Sequence, residues 1–219
     1  MNSIATSVMS RNDRVIRCLR SWLKWEGCHE FVLVDWNSRR PVEELLRKEN
    51  FNNKKIKIIR VDKEKYFSRS RSFNLAVRNC THSNVIKIDI DYVLTNKKIL
   101  KRHLRKTLQP KSFAHSSNVS SHLTGFCIFN KADFEKIGGY NEDLEDWGYE
   151  DVDLYSRLTK SGLSEFIIKS PKKFLFHIPH SRDLSVENHK NKDREASKLR
   201  NIKLCESQFK SPGNDKSHA

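Results

Sequence analysis

No stretch of this 219-residue chain approaches the roughly 20 apolar residues that a membrane-spanning helix requires, and its first residues lack the apolar centre of a secretion signal. A spanning helix is excluded on that count, and a cytoplasmic location is expected. Cysteine is sparse: Cys18, Cys28, Cys80, Cys127 and Cys205 are odd in number, widely spaced and without a Cys-x-x-Cys pair, which speaks against a disulfide framework or a thiolate zinc site. The sequons Asn79-Cys80-Thr81 and Asn118-Val119-Ser120 carry no meaning without a secretory route. Glycine (7) and proline (5) are few, and 37% hydrophobic with 10% aromatic residues indicates one folded domain with a real core rather than global disorder.

Acids are outnumbered. Forty-two Lys and Arg against 27 Asp and Glu give a formal charge of +15, a field that attracts nucleic acid, acidic glycans, anionic membrane or nucleotide diphosphates without choosing among them. The surplus is uneven. Asn96 to Lys111 holds no acid and reads first as a solvated helix face, whereas Glu135 to Asp153 is rich in carboxylates.

The apolar pattern alternates strands with helices. Ile4 to Met9, Phe31 to Val34, Ile56 to Val61 and Val85 to Ile90 read as strands. Between them lie a helix burying Val15, Cys18, Leu19 and Trp22, one opened by Pro41 with Glu43 and Glu44, and one centred on Phe73 to Val77. This order predicts an α/β fold with a mostly parallel central sheet flanked by helices, whose ligand sits beyond the carboxyl ends of the strands, on the rim that Asp35, Asp89 and Asp91 share. Further on, Leu123 to Phe129 is a short apolar segment, Lys131 to Ile137 a helix stopped by Gly138-Gly139, and Glu150 to Ser161 a helix with two acids in its first turn. Strand-like runs Glu165 to Ile168 and Phe174 to Ile178 lead to His177 and His180. The expected division is a catalytic domain over 1–184 and a basic, polar tail over 185–219, partly helical or disordered, with no apolar stripe that requires packing.

Three clusters carry chemistry. Asp89-Ile90-Asp91 presents two carboxylates on one side of an extended segment, suited to a hard cation and through it a diphosphate; alone, it also fits a solvated turn. His177-Ile178-Pro179-His180 adds imidazoles, and imidazole with carboxylate favours Mn²⁺ over Mg²⁺, which is the alternative metal. Glu150 and Asp151 are candidates for removing a hydroxyl proton, or for simply complementing the helix dipole. Trp147 and Tyr149 beside them suit the C–H face of a sugar or a place in the core. Arg11, Arg69 and Arg71 either meet phosphate or face water.

Gly138-Gly139-Tyr140-Asn141-Glu142, followed by Trp147-Gly148-Tyr149-Glu150-Asp151-Val152-Asp153, resembles the Trp-Gly-Gly-Glu-Asp-Asp-Asp signature of the beta-1,4-galactosyltransferase C-terminal region. His180-Ser181-Arg182-Asp183 resembles that family's metal-binding segment. The chain is thus similar, over roughly Ile4 to Asp183, to nucleotide-sugar glycosyltransferases of the GT-A (Rossmann-like) fold, glycosyltransferase family 2 included. The resemblance implies Asp91, His180, His177 and Asp89 as metal ligands, Asp89 also touching ribose or the metal-linked phosphate. It implies Asp151 as catalytic base, with Glu150, Trp147, Gly148 and Tyr149 at the acceptor. Arg11 with Asn12, Asp35, Arg69, Arg71 and Asn74 would contact the donor. Tyr149 departs from the signature's glycine, and the anchor and stem of the animal enzymes have no counterpart. A Trp-Gly-x-Glu stretch also occurs in retaining polypeptide N-acetylgalactosaminyltransferases, although the Glu-Asp pair favours inversion.

The expected activity is metal-dependent, inverting transfer of Gal, GalNAc, GlcNAc or GlcA from a UDP-sugar to a hydroxyl of a glycan or glycoconjugate, with an anionic membrane surface as an additional partner. Two rivals stand beside it: a basic nucleic-acid-binding protein, which leaves the acidic and imidazole clusters idle, and a catalytically silent glycan-binding module on the same fold. No oligomeric state follows from the sequence.

Overall fold

Alternating side chains along the first strands decide how the chain packs. In β1 (Asn2–Val8) Ile4 enters one hydrophobic cluster and Ala5 the other, and in β2 (Glu30–Trp36) Leu33 opposes Val32 and Val34 in the same way. A strand's side chains point to opposite faces with period two, so both faces of this sheet are covered, as parallel sheets require. The computed structural model describes residues 1–107, 109–116 and 123–210; the sequon at Asn118 lies outside the described residues.

The main sheet has seven strands in the order β3-β2-β1-β4-β7-β6-β8. β3 (Ile56–Val61), β2, β1 and β4 (Asn84–Lys87) are parallel, joined through α1 (Asn12–Leu23), α2 (Val42–Lys48) and α3 (Arg69–Arg78). β7 (Cys127–Asn130) runs antiparallel to β4 and to β6 (Ser112–His115), and β8 (Ser164–Ile167) closes the edge parallel to β6. The mixed α/β fold with a mostly parallel sheet is as expected from the pattern. Because β2 lies on one side of β1 and β4 on the other, the crevice beyond β1 is the topological switch point where ligands of such sheets seat.

The fourth strand is shorter than its apolar run. β4 stops at Lys87, and residues 88–91 turn away before β5 (Tyr92–Leu94), which pairs antiparallel with β9 (Leu175–His177) as a separate ribbon. Helix α1 braces this turn from below: Cys18 Sγ donates to the Ile90 carbonyl (2.9 Å) and Trp22 Nε1 to that of Tyr92 (2.8 Å). The basic run forms α4 (Lys97–Thr107), with Leu100 buried and Lys98, Lys101 and Arg102 exposed, a solvated face as read from the sequence. All five cysteines are buried and free. Burial pushes the Cys28, Cys80 and Cys205 thiols up to about 12 and raises Cys18 and Cys127 further. Among the described residues no helix is long and apolar enough to cross a membrane.

Beyond 184 the described residues, to 210, are helical in part, and they pack although they carry no apolar stripe: α8 (Arg194–Lys210) buries Ser197, Asn201 and Cys205, while the apolar Leu199 is 52% exposed. Its docking is polar. Asp146 accepts from the Lys190 and Asn191 backbone amides and pairs with Arg200 (3.2 Å), and Asn201 Nδ2 donates to the Glu145 and Gly148 carbonyls. A search for apolar periodicity does not detect a helix seated this way.

Candidate active site

Strand register explains why His177 reaches Asp91. Tyr92 is the cross-strand partner of His177, and the Ile178 amide donates to the Asp91 carbonyl (2.8 Å), so the β5–β9 ribbon lays the imidazole beside the carboxylate that precedes it. Pro179 keeps the residue before it, Ile178, extended, and His180 follows with its ring 5.0 Å from that of His177. The Nε2 atoms of His180 and His177 lie 3.4 and 3.6 Å from Asp91 Oδ2, and the three residues offer ligand atoms all within 4.8 Å of one another.

This trio fits a divalent cation by its own chemistry. Asp91 Oδ1 is buried without a hydrogen-bond partner, an expensive state for a carboxylate oxygen unless a cation takes it. His180 Nδ1 lies 2.9 Å from the Ser181 carbonyl and donates to it, which fixes the ring with Nε2 directed at Asp91. One oxygen ligand with two imidazoles suits Mn²⁺. Burial alone would raise the Asp91 carboxyl, but the two histidines and Arg11 hold it well below the usual carboxylate range. Arg11 and Arg14 approach the same oxygen at 3.4 and 3.6 Å.

Asp89, two residues earlier, has a different set of neighbours. Its Oδ1 pairs with Lys87 Nζ (3.0 Å) and its Oδ2 with Arg69 Nη1 (3.1 Å). Each cation reaches on to a second acid: Arg69 Nε to Glu150 (2.8 Å) and Lys87 Nζ to Asp151 Oδ1 (3.1 Å). Tyr140 Oη donates to the same Asp151 oxygen at 2.8 Å. The result is a continuous line of opposite charges, Glu150–Arg69–Asp89–Lys87–Asp151, seated against Phe73, whose ring centroid is 4.3 Å from Lys87 Nζ. Gly125 makes room for it, since a Cβ there would lie 2.1 Å from Asp89 Oδ2. Burial alone would lower the Lys87 pKa, but Asp151 and Asp89 carry it above the ordinary lysine value, so it stays an ammonium. Burial pushes the Glu150 carboxyl up; Arg69 opposes this and Asp151 adds to it.

Helix α6 (Glu150–Lys160) holds Glu150, Asp151 and Asp153 in its first turn, where the dipole favours anions. The third acid is structural. Asp153 takes Arg157 (2.6 Å), which donates to the Ile137 and Gly139 carbonyls and ties the helix to the Gly138-Gly139 turn.

Of the residues singled out in the sequence, the fold gathers Asp89, Asp91, His177, His180, Arg11, Arg69, Glu150 and Asp151 on one rim. Arg11, Arg69, Asp89 and Asp91 line a cavity with Ser7 at the end of β1 and His189. Three others go elsewhere. Asp35 accepts from the Ser38 and Val42 amides and from Arg60, fixing the start of α2. Arg71 pairs with Glu64 and stacks on Trp36. Asn74 bonds both the amide and the carbonyl of Tyr140. Trp147 has one face covered by Arg194, whose guanidinium carbon is 3.7 Å from the ring centroid. Gly148 packs against Lys198, and Tyr149 has a left-handed backbone (φ 80°). Sequence reading passed over Lys87, Tyr140 and Arg14. Lys87 left a trace as the one cation inside the apolar run Val85 to Ile90, where burial demands partners, and Tyr140 stood in the quoted motif without a role.

Residues 102–181 match the family model described as the N-terminal domain of galactosyltransferase. Solved structures with the same architecture include the mannosyltransferase PcManGT of Pyrobaculum calidifontis with GDP-Man and Mn²⁺ (TM-score 0.65, 13% identity, covering 76% of this chain and 54% of that one). Drosophila beta1,4galactosyltransferase 7 with xylobiose has TM-score 0.63 at 12% identity, covering 97% of this chain and 82% of that one. The chain has the GT-A glycosyltransferase fold. Staphylococcus aureus TarS 1–349 in complex with UDP aligns over 98% of this GT-A chain and 73% of its own (TM-score 0.62, 13% identity). By sequence, human chondroitin sulfate N-acetylgalactosaminyltransferase 1 is 36% identical over 64 residues, 27% of this chain. Human chondroitin sulfate synthase 3 is 37% identical over 71 residues. The GT-A chain spans 12% and 8% of the length of these two relatives.

Proposed function

We propose that the protein is a metal-dependent, inverting glycosyltransferase that moves a sugar (Gal, GalNAc, GlcNAc or GlcA) from a UDP-sugar to a hydroxyl of a glycan or glycoconjugate. The observation that carries this reading is the meeting of Asp91, His177 and His180 within 4.8 Å at the switch-point rim, beside a carboxylate pair on a helix N-terminus. Mn²⁺ is the cation this donor set suits, with Mg²⁺ second.

Asp91, His177 and His180 would hold the cation, with Asp89 facing the ribose or the metal-linked phosphate. When bound, the metal supplies positive charge to the diphosphate as it leaves. Arg11 and Arg69 add fixed guanidinium charge on the same side of the cavity. Asp151 takes the acceptor's hydroxyl proton while the acceptor oxygen bonds to the anomeric carbon from the face opposite the departing diphosphate, which carries away the electron pair of the broken C–O bond. Both contacts on Asp151 fall on Oδ1, so the proton goes to Oδ2. Glu150 orients the acceptor, and Trp147 and Tyr149 offer aromatic surface to its ring.

A panel of UDP-sugars tested for Mn²⁺-dependent hydrolysis, with no acceptor supplied, checks the class and the donor at once. Release of UDP from one donor, abolished by chelation, is the expected result. Absence of both UDP binding and donor turnover across the panel, with salt-sensitive RNA or DNA binding in their place, would favour the nucleic-acid reading. UDP binding without turnover would favour the silent module.

A further inference from the structure

Lys87 is fully buried, yet it carries a charge. A lysine in that position survives only where acids surround it, and here they come from two places remote in sequence: Asp89 from the turn after β4 and Asp151 from the first turn of α6. The ammonium also sits over the ring of Phe73 at 4.3 Å, with the Tyr140 ring centroid 5.9 Å away. Tyr140 is held in turn by Asn74, and its hydroxyl donates a hydrogen bond to the oxygen of Asp151 that Lys87 occupies. Two donors therefore converge on Oδ1 of Asp151, and no described residue engages Oδ2. An acid held in this way has one orientation and one oxygen left over.

We propose that Lys87 is a positioning residue for the reaction: it clamps Asp151 by one oxygen so that the other faces the acceptor, and through Asp89 it ties the acid that receives the proton to the rim that holds the donor. This inference rests on the reading of Asp151 as base. The clamp has a clear physical function. An acid free to rotate would spend part of its time bonded to solvent or to Arg69, whereas two charge-assisted bonds to one oxygen restrict it to the geometry needed for proton transfer. The coupling through Asp89 accounts for the placement of Lys87 at the end of β4, where it reaches both acids while fully buried. Arg69 mirrors it on the other side, joining Asp89 to Glu150.

The test uses the full chain and the donor found by the hydrolysis panel. Lys87→Met, Tyr140→Phe, Asp151→Asn and the double variant Lys87→Met/Asp151→Asn are compared by transfer kinetics, by calorimetric binding of UDP with Mn²⁺, and by thermal melting. Lys87→Met is expected to lower kcat roughly 100-fold with a donor KM and UDP affinity changed less than about threefold, and the double variant to be no slower than Asp151→Asn alone. Tyr140→Phe, which removes one donor and no charge, should lower kcat about tenfold by the same route and stands in should Lys87→Met fail to fold. Losses that multiply in the double variant, or equal losses of kcat and UDP affinity in Lys87→Met, would reduce Lys87 to a structural ion pair and overturn the proposal. Normal kcat in both Lys87→Met and Tyr140→Phe would do the same. A wild-type chain that neither binds UDP nor turns over a donor fails earlier and overturns the enzymatic reading, and the clamp with it. A wild-type enzyme with an undiminished Asp151→Asn variant removes the clamp alone.

Discussion

Asp89 and Asp91 stand two residues apart and belong to two different electrostatic environments. Asp91 gathers all its partners, two imidazoles and the guanidinium groups of Arg11 and Arg14, at 3.4–3.6 Å on Oδ2, and leaves Oδ1 buried without a partner. Asp89 faces a lysine and an arginine whose charges are permanent, and both its oxygens are taken. The difference shows how a two-residue motif splits its work. The rim has one carboxylate with an oxygen left open, which we read as the exchangeable one, and one held at both oxygens, the fixed one, which leads by ion pairs to Asp151 and Glu150.

The largest effect is expected on the fixed side. Asp151→Asn should cut transfer about 10³-fold while UDP affinity in the presence of Mn²⁺ stays within a factor of a few, read by initial rates and calorimetry on the same preparation. The exchangeable side should behave in the opposite way. Asp91→Ala is expected to weaken metal-dependent UDP binding by about 100-fold, whereas UDP affinity without metal should barely move. If both variants gave the same pattern, the two environments would not be functionally distinct.

Stability probes the same contrast. His189, beside Arg69 and Arg11 in the cavity wall, has its pKa lowered to about 4 by burial and by those charges. The folded ring thus stays neutral over a range where the unfolded ring, near 6.5, takes up a proton. The unfolded state binds more protons between those values, so stability is fully present above about pH 6.5 and falls as pH drops toward 4, by roughly 2–3 kcal/mol. Denaturant melts across that window should show the slope, and His189→Leu should flatten it. Gly125→Ala disturbs Asp89 first, because the new methyl would stand 2.1 Å from its Oδ2; a loss of about 1–3 kcal/mol is expected, measured by melting, with transfer reduced more than UDP binding. The smallest effect is at Tyr149, whose φ of 80° suits glycine. Tyr149→Gly should relieve that strain, against the greater flexibility of the unfolded chain, for a net gain of about 0.5–1 kcal/mol, a rise in Tm of roughly 2 °C.

Much of the first half was readable because its physics is local. Short apolar runs placed β1, β2 and β3, and helical spacing placed Val15, Cys18, Leu19 and Trp22 on the buried face of α1. The run Val85 to Ile90 was read as one strand, yet the ladder ends at Lys87, since an apolar run reports burial and not the hydrogen bonding that ends a strand. At the site, acids and histidines were legible as chemical types, and the motif around Trp147 located the loop. Their use was not legible. Asp35 caps and pairs inside its own loop, and Asn74 braces Tyr140; a carboxylate or amide looks the same in sequence whether it meets a ligand or a backbone. The seat of α8 was hidden for a related reason, because Asp146, Arg200 and Asn201 do the holding and polar contacts have no period.

The five buried thiols give the molecule internal clocks. Cys18 lies beneath the turn that presents Asp91, and Cys205 lies in α8 with its sulfur 3.5 Å from an Asp153 oxygen. Each is sealed and protonated in the closed form, so a thiol-specific dye can modify it only after the surrounding packing parts. Labelling of Cys205 that outpaces labelling of Cys18 would time the lifting of the C-terminal helix separately from the opening of the sheet, without adding any probe the sequence does not already supply.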